Sequence, residues 1–444
     1  MLNNYGSFGK EIYILVSPLN SREASFFILK KIMDEGVTIE GALRDFSAKI
    51  NEGERGFVRH LVATTMRRMG QLDKIIDHLT KTKLGNTQMA VRHILRLGVT
   101  QILFMDVPAY AAVDGSVRIA DKRVPKKLRY LKNTVNAVLR NVDRERDALL
   151  KKFGNTRLNF PQWLLKSWDN RFGNAVVKEI LAECLNEAPL DIRLKPDLEG
   201  EAWAEQLGGT LISDQTVRLK KAGKVFDLPG YDDGHWWVQD VAASIPETLL
   251  GAKSGDSVLD LCAAPGGKAA QCASRGAKVT AVDMSAKRLR RFRDNMERLD
   301  LDVDIVTSDA LDYSPTEKYD FILLDAPCSS TGTIRRHPEM LHLRWPRHVK
   351  EMAEVQSKLL KHASGLLNEG GTLIYSVCSM EAEEGPDQIK ALLDNDGSLK
   401  RKEIIKEEMA SLEQAVMETG DVQTLPHYMD GGMDGFFISR ITKQ

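Results

Sequence analysis

Ser257-Val-Leu-Asp-Leu-Cys-Ala-Ala-Pro-Gly-Gly-Lys268 decides the fold: an apolar run of strand length stops at a turn of small residues, and a helical segment, Ala269 to Ser274, follows. Small residues and glycines at a strand-to-helix turn let the backbone approach a ligand closely, and in an open sheet such a turn lies at the carboxyl edge where ligands bind. Further β-rich runs follow at Lys278–Val282, Val303–Thr307, Tyr319–Leu324 and Gly371–Val377, separated by segments of helical length. Strands alternating with helices imply right-handed crossovers and a mostly parallel, doubly wound sheet. The dinucleotide fingerprint G-x-G-x-x-G is absent, because Pro265 and the pair Gly266-Gly267 replace it. A smaller adenosyl ligand therefore fits the turn better than a dinucleotide. Acids leave three consecutive strands: Asp283, suited to ribose hydroxyls, Asp309, suited to the exocyclic amine of adenine, and Asp325.

Two thiols leave neighbouring strands at that same edge. The run Phe321-Ile-Leu-Leu324 delivers Asp325-Ala-Pro-Cys328, and Gly371 to Val377 delivers Cys378. A thiolate can add to carbon 6 of cytosine, which makes carbon 5 nucleophilic enough to take a methyl group; a base then removes the carbon-5 proton and the thiol leaves. Asp325 is placed to stabilise such an adduct at ring nitrogen 3. Spacing alone leaves open which thiol attacks and which group deprotonates it.

Upstream, Ala24, Phe27, Ile28 and Ile32, then Val91, Ile94, Leu95, Gly98 and Ile102, then Val135, Val138, Leu139 and Val142, fall at helical spacing and predict an all-α bundle. Its basic cluster, Lys122, Arg123, Lys126, Lys127, Arg129 and Lys132, reads as a phosphate-binding patch, as do Arg335, Arg336 and His337 just past Cys328. The stretch from 146 to 235, rich in Pro and Gly, reads as a connecting α+β module. The acidic stretch from Glu381 to Asp421, with 12 acidic and 5 basic residues, reads as solvated helix and loop.

The whole chain of 444 residues balances 62 basic against 62 acidic side chains, yet residues 1–150 hold 25 basic and 16 acidic. Such separation orients a molecule on a polyanion better than net charge suggests. Five scattered cysteines with no Cys-x-x-Cys pair exclude a disulfide scaffold and give no start for a zinc site, so no metal is expected. The apolar run Ile12 to Val16 is far too short for a membrane helix or a signal core. A cytoplasmic chain is expected.

Asp260-Leu-Cys-Ala-Ala-Pro-Gly-Gly-Lys268, Asp325-Ala-Pro-Cys-Ser-Ser-Thr-Gly-Thr-Ile-Arg-Arg-His-Pro-Glu339, Tyr375-Ser-Val-Cys-Ser379 and Asp434-Gly-Phe-Phe-Ile-Ser-Arg440 together resemble the RNA cytosine-5 methyltransferases, in particular the bacterial Sun/Fmu/RsmB family acting on small-subunit ribosomal RNA. Asn133-Thr-Val-Asn-Ala-Val-Leu-Arg140 is similar to the NusB-type RNA-binding domain. The resemblance implies a multidomain chain: an extension at 1–20, an all-α NusB-like bundle at 21–145, the α+β module at 146–235 and a Rossmann-like α/β methyltransferase domain at 236–444. It implies S-adenosylmethionine along Cys262, Ala263, Ala264, Pro265, Gly266, Gly267 and Lys268, with Asp283 at the ribose, Asp309 at the adenine and Asp325 near the methyl end. It also implies that Cys378 attacks while Cys328 assists release. Val377 departs from the pattern, since many relatives carry Thr there. The expected substrate is 16S ribosomal RNA, taken by a monomer with no membrane or DNA involved. The same chemistry on transfer RNA, a non-catalytic RNA-binding assembly factor, and a small-molecule methyltransferase are the competing readings.

Overall fold

The computed structural model describes residues 19–80, 82–220 and 222–444. The run Ile12 to Val16 and nearly all of the expected extension at 1–20 lie outside the described residues. The chain divides into two compact units, the first ending at Asn155 and the second spanning Thr156–Gln444.

The first unit is helical: α1 (Ser21–Glu35), α2 (Ile39–Phe46), α3 (Arg55–Arg67), α4 (Met69–Leu79), α5 (Met89–Phe104), α6 (Ala109–Lys122), α7 (Lys132–Arg144) and α8 (Arg146–Lys152). Asn20 starts α1 by accepting the amides of Arg22 and Glu23. Helix α5 is buried from Val91 to Leu103 and forms the axis of the bundle. Gly98 admits α7 closely, because a Cβ there would lie 2.7 Å from the Leu139 side chain. The stripe Val135, Val138, Leu139 and Val142 is the buried face of α7, as the spacing predicts. Within the basic cluster, Lys122, Lys126 and Lys127 are exposed, and so is Tyr130. Arg123 instead pairs with Glu23 on α1, Lys132 pairs with Asp121, and Arg129 is half-buried.

The second unit opens with α9 (Gln162–Cys184) and a small antiparallel sheet in the order β2 (Thr210–Ser213), β3 (Thr216–Leu219), β1 (Leu190–Leu194) and β4 (Trp236–Val238), with α10 (Gly200–Leu207) between β1 and β2. Helix α11 (Val241–Leu250) leads into a second sheet with interleaved helices. These elements are β5 (Ser257–Leu261), α12 (Gly267–Ser274), β6 (Lys278–Asp283), α13 (Ala286–Arg298), β7 (Val303–Thr307), β8 (Tyr319–Asp325), α14 (Met340–Leu343), α15 (Pro346–Gly365), β9 (Leu367–Val377), α16 (Pro386–Asn395), β10 (Leu399–Arg401), β11 (Val422–Gln423) and β12 (Phe437–Lys443). Its strands run β10-β12-β9-β8-β5-β6-β7, with β11 beside β12. The five from β9 to β7 are parallel, as expected. Strand β12 lies antiparallel on β9, where the closing motif pairs Phe437 with Val377, and sequence reading had not placed it.

Arg335 and Arg336 are not free to hold RNA, contrary to the expectation. Arg335 is 1% exposed and donates to Asp240 (2.6 Å), Asp434 (3.0 Å) and the Gly431 carbonyl (3.0 Å). Arg336 donates to Asp240 and the Pro189 carbonyl and lies 3.3 Å from Asp434. Burial alone would raise the Asp240 carboxyl, but Arg336 and Arg335 overcome it and hold it well below the usual carboxylate range. The two arginines are internal countercharges for carboxylates at the start of α11 and before β12. Arg335→Ala is expected to lower unfolding stability by about 3–5 kcal/mol, because it strands buried carboxylates. Urea unfolding checks this, and an unchanged midpoint would contradict it. His337 is half-buried, 3.7 Å from the Glu339 carboxylate.

Candidate active site

Two strands at the carboxyl edge of the large sheet end in acids, β6 in Asp283 and β8 in Asp325. Asp283 closes β6 and is buried; its Oδ2 accepts the Ala264 amide (3.2 Å) and its Oδ1 the Ser285 amide (2.8 Å). It thereby pins the turn between β5 and α12, and the exposed Arg288 reaches over to it (2.7 Å). In that turn Cys262 takes a left-handed φ of 65° and Gly266 one of 109°. A side chain at Gly266 would collide with the Phe292 ring at 2.7 Å, so only glycine keeps the turn against α13. Asp325 ends β8, accepting from Lys268 Nζ (2.7 Å) and Ser376 Oγ (2.9 Å). Asp309 sits in an exposed turn beyond β7, where it caps the Leu311 amide (3.0 Å).

Asp260, inside β5, is a residue sequence reasoning left without a role. It is buried, and neither carboxylate oxygen has a hydrogen-bond partner. Burial, against the pull of Lys268 and with the push of Asp325 and Asp283, raises it to about 8. An unsatisfied buried acid behind a glycine turn is the signature of a pocket whose polar partner arrives with a ligand. Turn, acids and lysine fit an adenosyl ligand with a cationic end.

The thiols meet beside this turn. Cys328 Sγ and Cys378 Sγ are 3.2 Å apart, and Ser330 Oγ lies 3.8 Å from Cys378 and 4.0 Å from Cys328. The hydrogen bond to Cys378 and then burial push the Cys328 thiol well above the ordinary range. The other cysteines are unsuited to attack: burial pushes Cys262 up to about 12 and Cys272 well above its ordinary value, and Cys184 is buried in an apolar cluster.

One carboxylate ties both thiol loops together. Glu384 is 0% exposed. Its Oε1 accepts the Ser329 amide (2.7 Å) and Gln356 Nε2 (3.1 Å). Its Oε2 accepts the Ser329 and Ser379 hydroxyls. Ser329 and Ser379 directly follow the two cysteines, so a single buried acid sets the register of both. Gln356 also donates to the Pro327 carbonyl (2.8 Å), and Gly332 N–H to the Cys378 carbonyl (3.1 Å). The expectation of a solvated segment from Glu381 is thus corrected at its start, since Glu381 and Glu384 are both buried. Their clustering with Ser329 and Ser379 depends on contacts some 50 residues apart, which no local pattern reveals.

Residues 247–442 match the family described as 16S rRNA methyltransferase RsmB/F, and residues 19–144 match the NusB family. The chain is 31% identical over 441 residues to the ribosomal RNA small subunit methyltransferase B of Shigella boydii, covering 96% of this chain and 99% of that protein. It is 32% identical over 436 residues to the protein of the same description from Erwinia tasmaniensis, covering 94% and 97%. Among solved structures, the crystal structure of PH0851 aligns with a TM-score of 0.73 at 20% identity, over 96% of this chain and 99% of that one. NSun6 from Pyrococcus horikoshii aligns with a TM-score of 0.55 at 20% identity, over 64% and 98%. At those identities the two structures share the fold alone. With near-complete coverage of relatives above 30% identity, the chain belongs to the RsmB/F family of S-adenosylmethionine-dependent 16S rRNA methyltransferases.

Proposed function

We propose that the protein methylates carbon 5 of a cytosine in small-subunit ribosomal RNA through a covalent Cys378 adduct. The observation that carries this reading is the pair of thiols in contact at the sheet edge, beside Asp325, which Lys268 of the glycine turn and Ser376 both hold. A small-molecule methyltransferase or a pure RNA binder has no use for two sulfurs at that place.

The cofactor supplies a methyl carbon made electrophilic by its sulfonium. Cys262 to Lys268 would hold it, with Asp283 toward the ribose, Asp309 toward the adenine, and Asp325 and Lys268 toward the methyl end. Arg288 must yield its place on Asp283 to admit the ribose hydroxyls.

Cys378, as thiolate, forms a bond to carbon 6 while the electron pair of the C5=C6 bond moves toward carbon 5 and the N3–O2 side of the ring. Asp325, held by Lys268 and Ser376, would share a proton with ring nitrogen 3 and so stabilise the adduct. Carbon 5 would then take the methyl group, whose bond to the sulfonium breaks with its electron pair left on sulfur. Loss of the carbon-5 proton to a base restores the double bond and expels the Cys378 thiolate. Cys328 is the candidate base: its sulfur lies 3.2 Å from that of Cys378, and it would take the carbon-5 proton as a thiolate, its own proton having first passed to solvent. Lys122, Lys126 and Lys127, exposed on the first unit, would supply phosphate contacts that position RNA without specifying it.

Purified protein is incubated with labelled cofactor and both ribosomal and transfer RNA from cells lacking the enzyme, and the label is mapped. It is expected on carbon 5 of a cytosine in the small-subunit RNA. Label confined to transfer RNA would overturn the substrate, and label on any other base atom would overturn the chemistry.

A further inference from the structure

Helix α15 leads into β9 and runs back against it, so its first residues stand at the same sheet edge as Cys378. Gln356, in the middle of α15, is level with the thiol loops, which it grips through Pro327 and Glu384. Ten helical steps, about 15 Å, separate Pro346 from Gln356, so the amino end of α15 lies toward the rim of that edge. At that end, Arg344 Nε donates to the Ser329 carbonyl (3.0 Å), which fixes the segment beside Cys328. Trp345 comes next and is 54% exposed, held by its backbone, where its N–H donates to His348 Nδ1 (3.1 Å). Arg347 and Lys350 are exposed and have no carboxylate partner among the described residues. From Met340 to Lys350 there is no acid; Glu339 before it is buried, and the exposed Glu351 and Glu354 follow it on α15, neither of them ion-paired with Arg347 or Lys350 among the described residues.

We propose that Trp345, with Arg347 and Lys350 beside it, is a stacking platform for an unpaired nucleotide that neighbours the target cytosine. An exposed indole beside two cations that make no ion pair among the described residues offers a flat apolar face with positive charge next to it, which suits single-stranded nucleic acid. A base outside a duplex stacks on such a ring without regard to identity, and cations take the phosphates on either side. Placed at the rim of the thiol pocket, the platform holds the strand open next to the flipped base. This also supplies what Arg335 and Arg336 cannot, an outward-facing cationic contact next to the catalytic loops.

The inference rests on the RNA reading above, and its test is separable from it. Trp345→Ala is expected to raise KM for RNA by about tenfold with kcat within about twofold, and Trp345→Phe to keep KM within about threefold, in keeping with roughly 1–3 kcal/mol per stacked base. Binding of a single-stranded oligoribonucleotide to the full chain should quench tryptophan fluorescence, and the quench should shrink in Trp345→Phe. That second measurement needs no turnover, so it stands even if the target base is misassigned. A wild-type KM in Trp345→Ala, or equal quenching in wild type and Trp345→Phe, would overturn the platform.

Discussion

Cys378→Ala should abolish methyl transfer, by about a thousandfold or more, while the folded protein still binds S-adenosylhomocysteine with wild-type affinity. The size follows from the chemistry. Without addition at carbon 6, carbon 5 of cytosine is too poor a nucleophile to take the methyl group, so no weaker version of the same route remains. Cofactor binding should survive because the turn from Cys262 to Lys268 is pinned by Asp283 and packed on Phe292, and neither depends on Cys378. Nor does Cys328 inherit the role: its loop is held in place by Glu384, away from the position Cys378 takes at the end of β9. Methylation of RNA by the purified variant, measured by label incorporation, would refute the assignment of the nucleophile.

Cys328→Ala should do the opposite at the level of intermediates. The Cys378 sulfur remains and can still add to carbon 6, and carbon 5 can still be methylated. What is missing is the proposed base, whose sulfur lies 3.2 Å from that of Cys378. Elimination stalls, and protein and RNA stay joined by the S–C6 bond. Multiple turnover is expected to fall by about a hundredfold or more, as for the loss of a positioned general base. A band resistant to denaturant and removed by ribonuclease should appear on gels, and the double variant with Cys378→Ala should lose it. Normal turnover without any adduct would show that another group removes the proton.

Much of this site is legible in sequence because it sits where strands end. The runs that form β5 and β7 were readable by their apolar content, and a doubly wound sheet places every strand end on one edge, so Cys328, Cys378, Asp283 and Asp325 could be grouped before any coordinates. The same logic put Asp309 near the edge, yet it lies one turn past β7 in an exposed loop. What escaped were partners fixed by distant chain. Arg335 and Arg336 look like surface charge because their carboxylates, Asp240 and Asp434, lie nearly a hundred residues away in sequence. Glu384 hid in an acidic run, and only packing distinguishes it from its solvated neighbours. Strand β12 went unplaced because a closing motif at the chain's end gives no crossover helix to signal a parallel partner, and it pairs antiparallel instead.

The salt-linked knot around Asp240 bears on how the catalytic unit can be trimmed. Asp191 of β1 accepts from Arg218 of β3 (2.8 Å) and from the Val241 amide at the head of α11 (3.2 Å), while Arg336 reaches both Asp240 and the Pro189 carbonyl. The small antiparallel sheet is therefore not an optional spacer. A fragment begun at residue 236 would open this internal lattice of charge to water, whereas one begun at 156 keeps it whole.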